Sequence, residues 1–405
     1  MSQSIIQLKC FCNNYPWGRV GKESLAATLC QRTNPDFRLE DDQNYAEMWM
    51  GTYPELPSYS MEGENLQDIL NKNKERLIGQ GVLDKFGVDL PFLPKILSIA
   101  KALPLQIHPD IELSKKLHKQ DPEKYSDTNH KPEIAVALGK FEAFVGFKPL
   151  KDIERLMNLE PLKTFVPPNT PEANFQDDTL KQICRSLLTA SPDQARSTLK
   201  SLKCTSSDEL GGQAYILDLI PRLESMYGSE DNGNLVALLC MNFLVLEAGS
   251  ALYIPADGIH AYLTGNIIEC MARSNNVINT GFCPRADRDD IDLFVNALTF
   301  KQHDPEEPML KREKSEKSTK GKTEVFKPPM SEFNMLVTEL KAGEGETVKE
   351  VGGPSIAIVV SGSGMMGAQD QEFEIGEGTI YFIGHGIEVK YTAKDDLQVY
   401  RAYVE

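Results

Sequence analysis

Gly249-Ser-Ala-Leu-Tyr-Ile-Pro255, followed by His260, is the stretch that most strongly indicates the fold. Glycine permits a turn, the residues between are mostly strand formers, and proline ends the strand. A histidine five residues beyond that proline is then expected to face the interior of a β-barrel. A similar pattern recurs at Gly378-Thr-Ile-Tyr-Phe-Ile-Gly384. Val389 follows it at the position that corresponds to the histidine. The pair predicts two related β domains, of which only the first can bind a metal.

Other candidate ligands stand upstream of this stretch. Gly-x5-Pro followed by His resembles the second motif of cupin barrels, with Asp257 where glycine is common. Gln106 and His108 are two residues apart in a predicted strand, so their side chains share a face. Glu133 opens an apolar strand. A lone Gln-x-His pair is more often two polar surface side chains that bind no ligand. Together with His260, however, these side chains would form a mixed nitrogen and oxygen site for zinc or a similar divalent ion.

The chain changes character in blocks, which predicts its domain organisation. Short strands with Pro and Gly turns predict the first part of a catalytic cupin domain at 1–150, and helical periodicity predicts an insertion at 151–247. Strands return at 248–310 as the second part of that domain. A Lys- and Ser-rich stretch at 311–330 predicts a linker or surface loop, and 331–405 predicts a metal-free cupin-like domain. The predicted class is mainly β with a helical insertion: two cupin-type (jelly-roll) β domains plus an α-helical domain.

Composition and charge exclude several classes of function. The 405 residues include 59 acidic and 43 basic side chains, a net charge of −16, which opposes a nucleic-acid-coating role. The sequence has no apolar run of about 18 residues, so we predict no membrane span. The first residues lack the pattern of a secretory signal. The 8 cysteines are scattered without a C-x-x-C pair, which predicts reduced thiols in a cytoplasmic protein.

A series of blocks in a characteristic order carries a family resemblance. The blocks include Asn14-Tyr-Pro-Trp-Gly18, Tyr45-Ala-Glu-Met-Trp-Met-Gly-Thr52, Leu105-Gln-Ile-His-Pro-Asp110, Asn129-His-Lys-Pro-Glu133, Gly146-Phe-Lys-Pro-Leu150, His260-Ala-Tyr262 and Ile268-Glu-Cys-Met271. The chain resembles type I mannose-6-phosphate isomerases, also called phosphomannose isomerases, in their fungal branch. This implies zinc-dependent interconversion of mannose 6-phosphate and fructose 6-phosphate through an enediol, feeding GDP-mannose synthesis. It also implies one zinc ion per chain, and we expect a monomer whose partner is a small phosphorylated sugar.

The resemblance assigns roles to individual residues. It implies the metal ligands Gln106, His108, Glu133 and His260. Glu269, on the strand that follows His260, is the first candidate for the catalytic base, with a structural ion pair as its alternative role. His130 and Lys131 are rival catalytic residues because they adjoin Glu133. The substrate-binding candidates are Trp17, Lys131, Tyr262, Asn279 and Arg285, of which Lys131 and Arg285 are the local cations for a phosphate group.

The chain departs from the family's pattern close to the expected site. Asn275 and Asn279 stand where the family has Asp and Arg, and Pro104 replaces a usual serine. Arg285 replaces a lysine and Tyr53 a common histidine. Without an arginine at position 279 the site lacks a planar, permanently charged group with several hydrogen-bond donors. The loss of one donor of this kind typically lowers the rate about 10²–10³-fold. Two alternatives therefore stay open: a catalytically impaired relative that acts as a metal or sugar-phosphate sensor or partner protein, and an isomerase of another phosphosugar.

Overall fold

The computed structural model describes residues 4–168, 175–330 and 332–405, and β-sheets dominate its architecture. The first part of the chain contains β1 (Ile5–Lys9), β2 (Phe11–Asn13), β3 (Arg19–Val20), α1 (Leu25–Thr33), β4 (Asn44–Tyr45), β5 (Glu47–Trp49), β6 (Tyr59–Ser60), α2 (Leu66–Lys72), α3 (Lys74–Leu77), α4 (Gln80–Phe86), β7 (Phe92–Ile99), β8 (Leu105–Ile107), α5 (Ile111–Gln120), β9 (Glu133–Ala137) and β10 (Phe141–Phe147). The predicted class, mainly β with helices, is confirmed.

Helices follow, and then strands return. The helices are α6 (Leu150–Met157), α7 (Asp177–Thr189), α8 (Pro192–Leu202), α9 (Ser207–Leu210), α10 (Ile216–Tyr227) and α11 (Asn232–Cys240). The next elements are β11 (Met241–Leu246), β12 (Ala251–Ile254), β13 (His260–Ala272), β14 (Ile278–Gly281), α12 (Ile291–Ala297) and β15 (Met309–Leu310). The last are β16 (Glu313–Lys314), β17 (Thr323–Phe326), β18 (Asn334–Leu340), β19 (Gly345–Val348), β20 (Ser355–Ser361), β21 (Ser363–Ala368), β22 (Gln371–Gly376), β23 (Ile380–Ile383), β24 (Val389–Ala393) and β25 (Leu397–Tyr403).

The first β unit is built from two antiparallel sheets that share β13. One sheet has the order β15-β12-β9-β13-β7-β5-β2, and the other runs β11-β10-β13-β8-β14. The long strand bends at Gly265, so that His260–Thr264 pairs in one sheet and Gly265–Ala272 in the other. Both ends of β13 thereby return to Glu133: Met271 pairs with Glu133 in register, and the His260 ring lies 3.8 Å from its carboxylate.

The bend in β13 depends on glycine. Gly265 has a φ of 135°, and a Cβ at this position would lie 2.7 Å from the carbonyl oxygen of Lys140. We therefore expect Gly265→Ala to lower the free energy of unfolding by about 1–3 kcal/mol, because both the φ angle and the contact resist a side chain. Denaturant unfolding would measure this. Gly63→Ala is the matched control for positive φ alone, since no atom lies within 4 Å of its added Cβ. An equal loss in both variants would contradict the steric part of the argument.

Side chains of β13 alternate between three environments. Tyr262 and Ile267 point into the interior between the two sheets. Ala261 and Leu263 point outward into a core shared with the helices, and the outward side chains of the second half, Ile268 among them, pack toward the C-terminal β unit. The interior that will hold the candidate site is therefore enclosed by packed layers on both sides.

The helices cover the outer face of the second sheet. Their apolar stripes share one core with sheet residues such as Ile107 and Phe144. The start of α8 follows from its local sequence: the Ser191 side chain accepts a hydrogen bond from the backbone of Gln194, and Pro192 occupies the first turn. No helix in the described ranges is long and apolar enough to cross a bilayer.

The C-terminal β unit is a sandwich of an eight-stranded and a four-stranded sheet. Their orders are β16-β17-β18-β25-β20-β23-β1-β6 and β19-β24-β21-β22. The unit therefore draws on residues outside 331–405, because β1, near the start of the chain, pairs with β23.

The stretch at 311–330 was predicted to be a linker or surface loop, and the structure differs from that expectation. It contributes β16 and β17 to the eight-stranded sheet. Its remaining loop wraps the buried carboxylate of Glu346, which accepts hydrogen bonds from the backbone of Thr319, Lys320 and Lys322. Burial acts to raise the pKa of Glu346, but the hydrogen bond from the Ser318 hydroxyl, together with those from the rest of the loop, outweighs it and lowers the pKa to about 2. Lys and Ser residues are thus ordered here by a partner that lies far away in the sequence.

Candidate metal centre and active site

Three ligand-type side chains converge inside the first β unit. His108 follows β8, Glu133 begins β9 and His260 begins β13. Their ligand atoms all lie within 4.8 Å of one another. His108 Nε2 is 3.1 Å from one carboxylate oxygen of Glu133, and His260 Nε2 is 3.8 Å from the other. All three side chains are buried, so the structure brings together three of the four ligands that the sequence predicted.

Hydrogen bonds hold both imidazoles in the form that binds metal. His108 Nδ1 lies 2.9 Å from the carbonyl oxygen of Asn276, and His260 Nδ1 lies 2.9 Å from that of Gly258. A carbonyl only accepts, so each Nδ1 carries the hydrogen and each Nε2 keeps its lone pair. Burial lowers the pKa of His108 to about 4 and also lowers the pKa of His260. Both rings are therefore neutral near pH 7, as metal ligands must be.

The three side chains suit a bound cation because the lone pairs of two buried imidazole nitrogens have no hydrogen-bond partner. Neither Nε2 atom has a hydrogen-bond partner, although both are buried. Each faces a carboxylate oxygen of Glu133, and two such electron pairs repel each other unless a cation is bound between them. Burial acts to raise the pKa of Glu133, but the His108 and His260 rings, which are protonated only in acid, and the Lys131 ammonium group outweigh it and hold the pKa well below its usual range. Tyr262 Oη donates to the same carboxylate at 3.2 Å.

Gln106, the fourth predicted ligand, lies in the same row of side chains as His260. In the antiparallel register, Gln106 is the direct neighbour of His260 on one side and of Asn279 on the other. Directly opposed residues project from the same face of a sheet. Leu105 and Ile107, which flank Gln106, point into the helical core, so Gln106 projects toward the opposite, inner face.

A charged network lies beside the triad, around the predicted base Glu269. Lys95 Nζ is 3.0 Å from Glu269 Oε2 and 3.8 Å from Glu47 Oε2, and all three side chains are buried. Burial acts to lower the pKa of Lys95, but Glu269, Glu47 and Glu133 outweigh it and raise the pKa, so the ammonium group stays charged. Burial raises the pKa of Glu269 to about 7, against the opposing effect of Lys95. A carboxyl group with this pKa can both accept and donate a proton near neutral pH.

Lys95 and Glu47 are site residues that the sequence reasoning missed. Lys95 stands within the apolar strand β7, where its neighbours two residues away, Leu93 and Leu97, face the same interior. A lysine on the buried face of an apolar strand is rarely tolerated without a charged partner, and this was the available signal. Its partners could not be identified, because they lie on two other strands.

Comparison with known proteins identifies the family. Residues 5–150 match the family model described as "Phosphomannose isomerase type I, catalytic domain". Mannose-6-phosphate isomerase of Saccharomyces cerevisiae is 36% identical over 432 residues, with 100% of both chains covered. That of Schizosaccharomyces pombe is 38% identical over 421 residues and covers 98% of this chain and 99% of its own. The chain belongs to the type I phosphomannose isomerases. It is therefore an aldose–ketose isomerase by family.

Solved structures of the family share the whole fold. A zinc-bound mannose 6-phosphate isomerase superimposes with a TM-score of 0.83 at 27% identity, covering 100% of both chains. A phosphomannose isomerase variant from Salmonella typhimurium, in which one lysine is replaced by alanine, gives a TM-score of 0.81 at 27% identity and covers 99% of both chains. The family likeness therefore extends over the helices and the C-terminal β unit as well as the catalytic domain.

The two rival catalytic residues occupy different surroundings in this isomerase. His130 Nε2 lies 2.6 Å from a carboxylate oxygen of Glu332, so its imidazole pairs outside the triad. Lys131 is half-buried, and burial lowers its pKa. In the part of the chain that the structure describes, no hydrogen bond or ion pair engages the Lys131 ammonium group. Lys131 thus keeps its donors for a ligand, whereas His130 does not.

A cavity of about 690 Å³ is lined by three of the predicted substrate-binding residues, Trp17, Asn279 and Arg285. Its lining includes Trp17, Lys101, Pro104, Tyr227, Asp231, Asn279, Arg285 and Arg288. Arg288 is engaged by Asp231 at 2.6 Å, and the ammonium group of Lys101 lies over the Tyr227 ring at 4.0 Å. Among the described residues, no hydrogen bond or ion pair engages the guanidinium group of Arg285, so this arginine of the cavity wall is available to bind a ligand. Asn279, in the cavity wall, is also the register neighbour of the proposed ligand Gln106.

The departures from the family pattern separate into two groups in space. Pro104, Asn279 and Arg285 line the same cavity, and the buried Oδ1 atom of Asn279 has no hydrogen-bond partner.

The other departures lie away from this cavity. Asn275 is exposed, and its amide donates to Glu55 at 3.0 Å. Tyr53 is buried beneath the guanidinium group of Arg273, which lies 4.7 Å from its ring. Arg273 also donates to the Thr52 hydroxyl at 3.0 Å, so both of its contacts are with residues outside the wall of that cavity.

Proposed function

We propose that this chain is a zinc-dependent isomerase that interconverts mannose 6-phosphate and fructose 6-phosphate through an enediol. The observation that carries the proposal is the pair of buried imidazole lone pairs directed at one carboxylate. We propose His108, Glu133 and His260 as ligands, with the Gln106 amide oxygen as the fourth, for one ion per chain. Two nitrogen and two oxygen donors suit zinc, and related isomerase structures contain zinc.

The residues around the metal ligands suit the proton transfer that the isomerisation requires. Zinc bound there would supply Lewis-acid stabilisation to the substrate oxygens at C1 and C2. We assign Glu269 as the base that moves the proton between C1 and C2, because its pKa is raised to about 7 within an enclosed interior. Lys95 orients this carboxylate through its 3.0 Å contact. The unpaired ammonium group of Lys131 is available to the enediolate or to the phosphate group, and Trp17 and Tyr262 complete the substrate surroundings.

A coupled assay with metal-loaded protein tests this function directly. We expect conversion of mannose 6-phosphate, loss of activity on treatment with a chelator, and recovery on adding zinc. A panel of aldose 6-phosphates distinguishes the isomerase of another phosphosugar, which would convert a different member of the panel faster. Absence of any conversion at every pH tested would refute both.

The sensor alternative is favoured by one observation, the asparagine at position 279 in the cavity wall. Asn279→Arg restores the forked donors beside Gln106, and we expect it to raise kcat by about 10–10²-fold if that missing group limits the reaction. The measurement is the same coupled assay with wild type and variant side by side. Turnover by the wild-type protein removes the motive for the sensor function, whereas no turnover by either protein supports it.

The phosphate group of the substrate is assigned to Arg285. We expect Arg285→Met to raise KM by about 10–10²-fold with a smaller change in kcat, because a charged hydrogen bond to phosphate contributes about 1.5–3 kcal/mol in binding. Steady-state kinetics with mannose 6-phosphate measure both constants. The matched control is Lys101→Met, which removes the cationic group that lies over Tyr227 in the same cavity. A larger rise of KM in the control would reassign the phosphate subsite.

The remaining expectations are proposals of the same kind. We assign both β units to cupin-type jelly rolls and the helices of 151–247 to an α-helical domain, supported by the paired sheets of each unit. The free thiols of all 8 cysteines suit a reducing, cytoplasmic location. We also propose that the enzyme is a monomer. In this setting the enzyme would supply mannose 6-phosphate for GDP-mannose synthesis.

A further inference from the structure

A buried arginine lies in the interior of the C-terminal β sandwich. Arg401 is on β25, and its neighbours two residues away, Val399 and Tyr403, point into the core between the eight-stranded and four-stranded sheets. Strand alternation therefore directs Arg401 into the same core. Its exposed fraction is only 2%.

The guanidinium group of Arg401 is only partly satisfied. Its Nε donates to the Ser355 hydroxyl at 2.8 Å, and Ser355 in turn donates to the Ile383 carbonyl at 3.3 Å. Both terminal nitrogens are buried without a hydrogen-bond partner. Among residues 4–168, 175–330 and 332–405, no carboxylate lies within ion-pair distance of the group. Ser355 thus orients a charged fork whose two outer donors face nothing of opposite sign.

A second unsatisfied donor faces the same core from the opposite sheet. Tyr391 is on β24 of the four-stranded sheet, is 1% exposed, and its hydroxyl has no hydrogen-bond partner. Burial raises the pKa of Tyr391, and the positive charge of Arg401 partly offsets this rise. Arg401 and Tyr391 therefore project into the same core from opposite sheets.

An uncompensated charge in this position is energetically demanding. Arginine stays protonated in proteins, so Arg401 cannot relieve its burial by losing a proton. A buried charge without a counter-charge is strongly destabilising. An anion that accepts hydrogen bonds from the two outer guanidinium nitrogens and the Tyr391 hydroxyl would remove this cost.

We propose that the C-terminal sandwich binds a small monovalent anion of halide size, such as chloride, between the guanidinium group of Arg401 and the hydroxyl of Tyr391. The donors are enclosed on all sides, which favours a monatomic ion over a phosphate. This anion site shares no residue with the proposed active site and does not depend on the proposed function.

Halide-dependent stability and anomalous diffraction test the proposal together. Full-length protein is dialysed into gluconate buffer, and Tm is then measured on adding chloride or bromide at constant ionic strength. We expect a rise of about 2–4 °C for the wild-type protein. Crystals grown with bromide are expected to give an anomalous peak beside Arg401.

Three variants make the test specific. Arg401→Met should abolish the halide-dependent rise, and Tyr391→Phe, which keeps the charge and the ring, should reduce it. The matched control is Arg312→Met, which removes an arginine of the same unit that already pairs with Glu339 at 3.1 Å; it should keep the full rise. If Arg401→Met does not fold, Tyr391→Phe and the bromide peak still decide.

The remaining outcomes overturn the proposal. A bromide peak without any change in Tm would mean an adventitious ion only. Ordered water at this position in place of bromide would show that the charge is solvated and not paired. A halide effect that persists in Tyr391→Phe at full size, or that disappears equally in Arg312→Met, would place the ion elsewhere.

Discussion

Replacing His108 with alanine is expected to release the metal and reduce kcat/KM by about 10³-fold or more. The substitution removes one of two neutral imidazole ligands from an enclosed site, and with the metal goes the electrostatic stabilisation of the substrate oxygens, which contributes several kcal/mol. Zinc content per chain and the coupled isomerase assay measure the two effects on the same preparation. Because the His108 Nδ1 atom bonds only to a backbone carbonyl, the fold itself should survive, which circular dichroism would check.

His130→Ala is the matched control for this experiment. It removes the same side chain three residues before Glu133, but from an imidazole that pairs with Glu332. We expect it to keep one zinc ion per chain and activity within tenfold of wild type. Retention of the metal in His108→Ala, or a comparable loss of metal in His130→Ala, would contradict the ligand assignment. A loss of activity without loss of metal in His130→Ala would instead restore His130 as a catalytic residue.

Replacing Glu269 with glutamine is expected to lower kcat by about 10²–10⁴-fold while zinc content and KM change little. The amide keeps the shape of the side chain and cannot accept the proton, and a positioned base typically contributes a factor of this size. In the wild-type protein the working form is the carboxylate. Burial raises the pKa of Glu269 to about 7, so kcat should fall as the pH drops through about 7, or through a lower value once the charge of a bound cation acts on Glu269.

The control for Glu269→Gln is Glu47→Gln, which alters the second carboxylate near Lys95. Its contact with Lys95 is longer, and we assign it no proton transfer, so kcat should stay within about tenfold of wild type. The acidic limb of the pH profile should persist in Glu47→Gln and disappear in Glu269→Gln. Equal effects of both substitutions on activity and on Tm would identify Glu269 as a structural ion-pair partner, the alternative that the sequence left open.

Local patterns were sufficient to predict the mainly β class with inserted helices and the candidate ligands, of which His108, Glu133 and His260 meet in the structure. The Gly-x5-Pro spacing placed His260 after a strand, and the period of two placed Gln106 and His108 on one face. The helix start at Ser191 also depends only on neighbouring residues. Such features can be read from sequence because strand alternation and helix capping act over a few residues.

Other features required knowledge of which strands are paired. The partners of Lys95 are Glu269 and Glu47, which stand on two different strands. His130 adjoins Glu133 in sequence but pairs with Glu332 in space. The stretch at 311–330 has the composition of a loop, yet part of it pairs into a sheet. In the first two cases the deciding contact joins residues far apart in the chain, and in the third it is a pairing of neighbouring strands that composition does not reveal.

The amino-acid sequence by itself determined which side chains could bind a metal, the mainly β class with inserted helices, and the family. Only the tertiary structure decided that His108, Glu133 and His260 meet, that Pro104, Asn279 and Arg285 share one cavity, and that Arg401 is enclosed without a counter-charge. The physical reason is that side-chain direction follows from local backbone geometry, whereas distances between strands of two sheets depend on strand register and on the bend at Gly265 in the strand that they share.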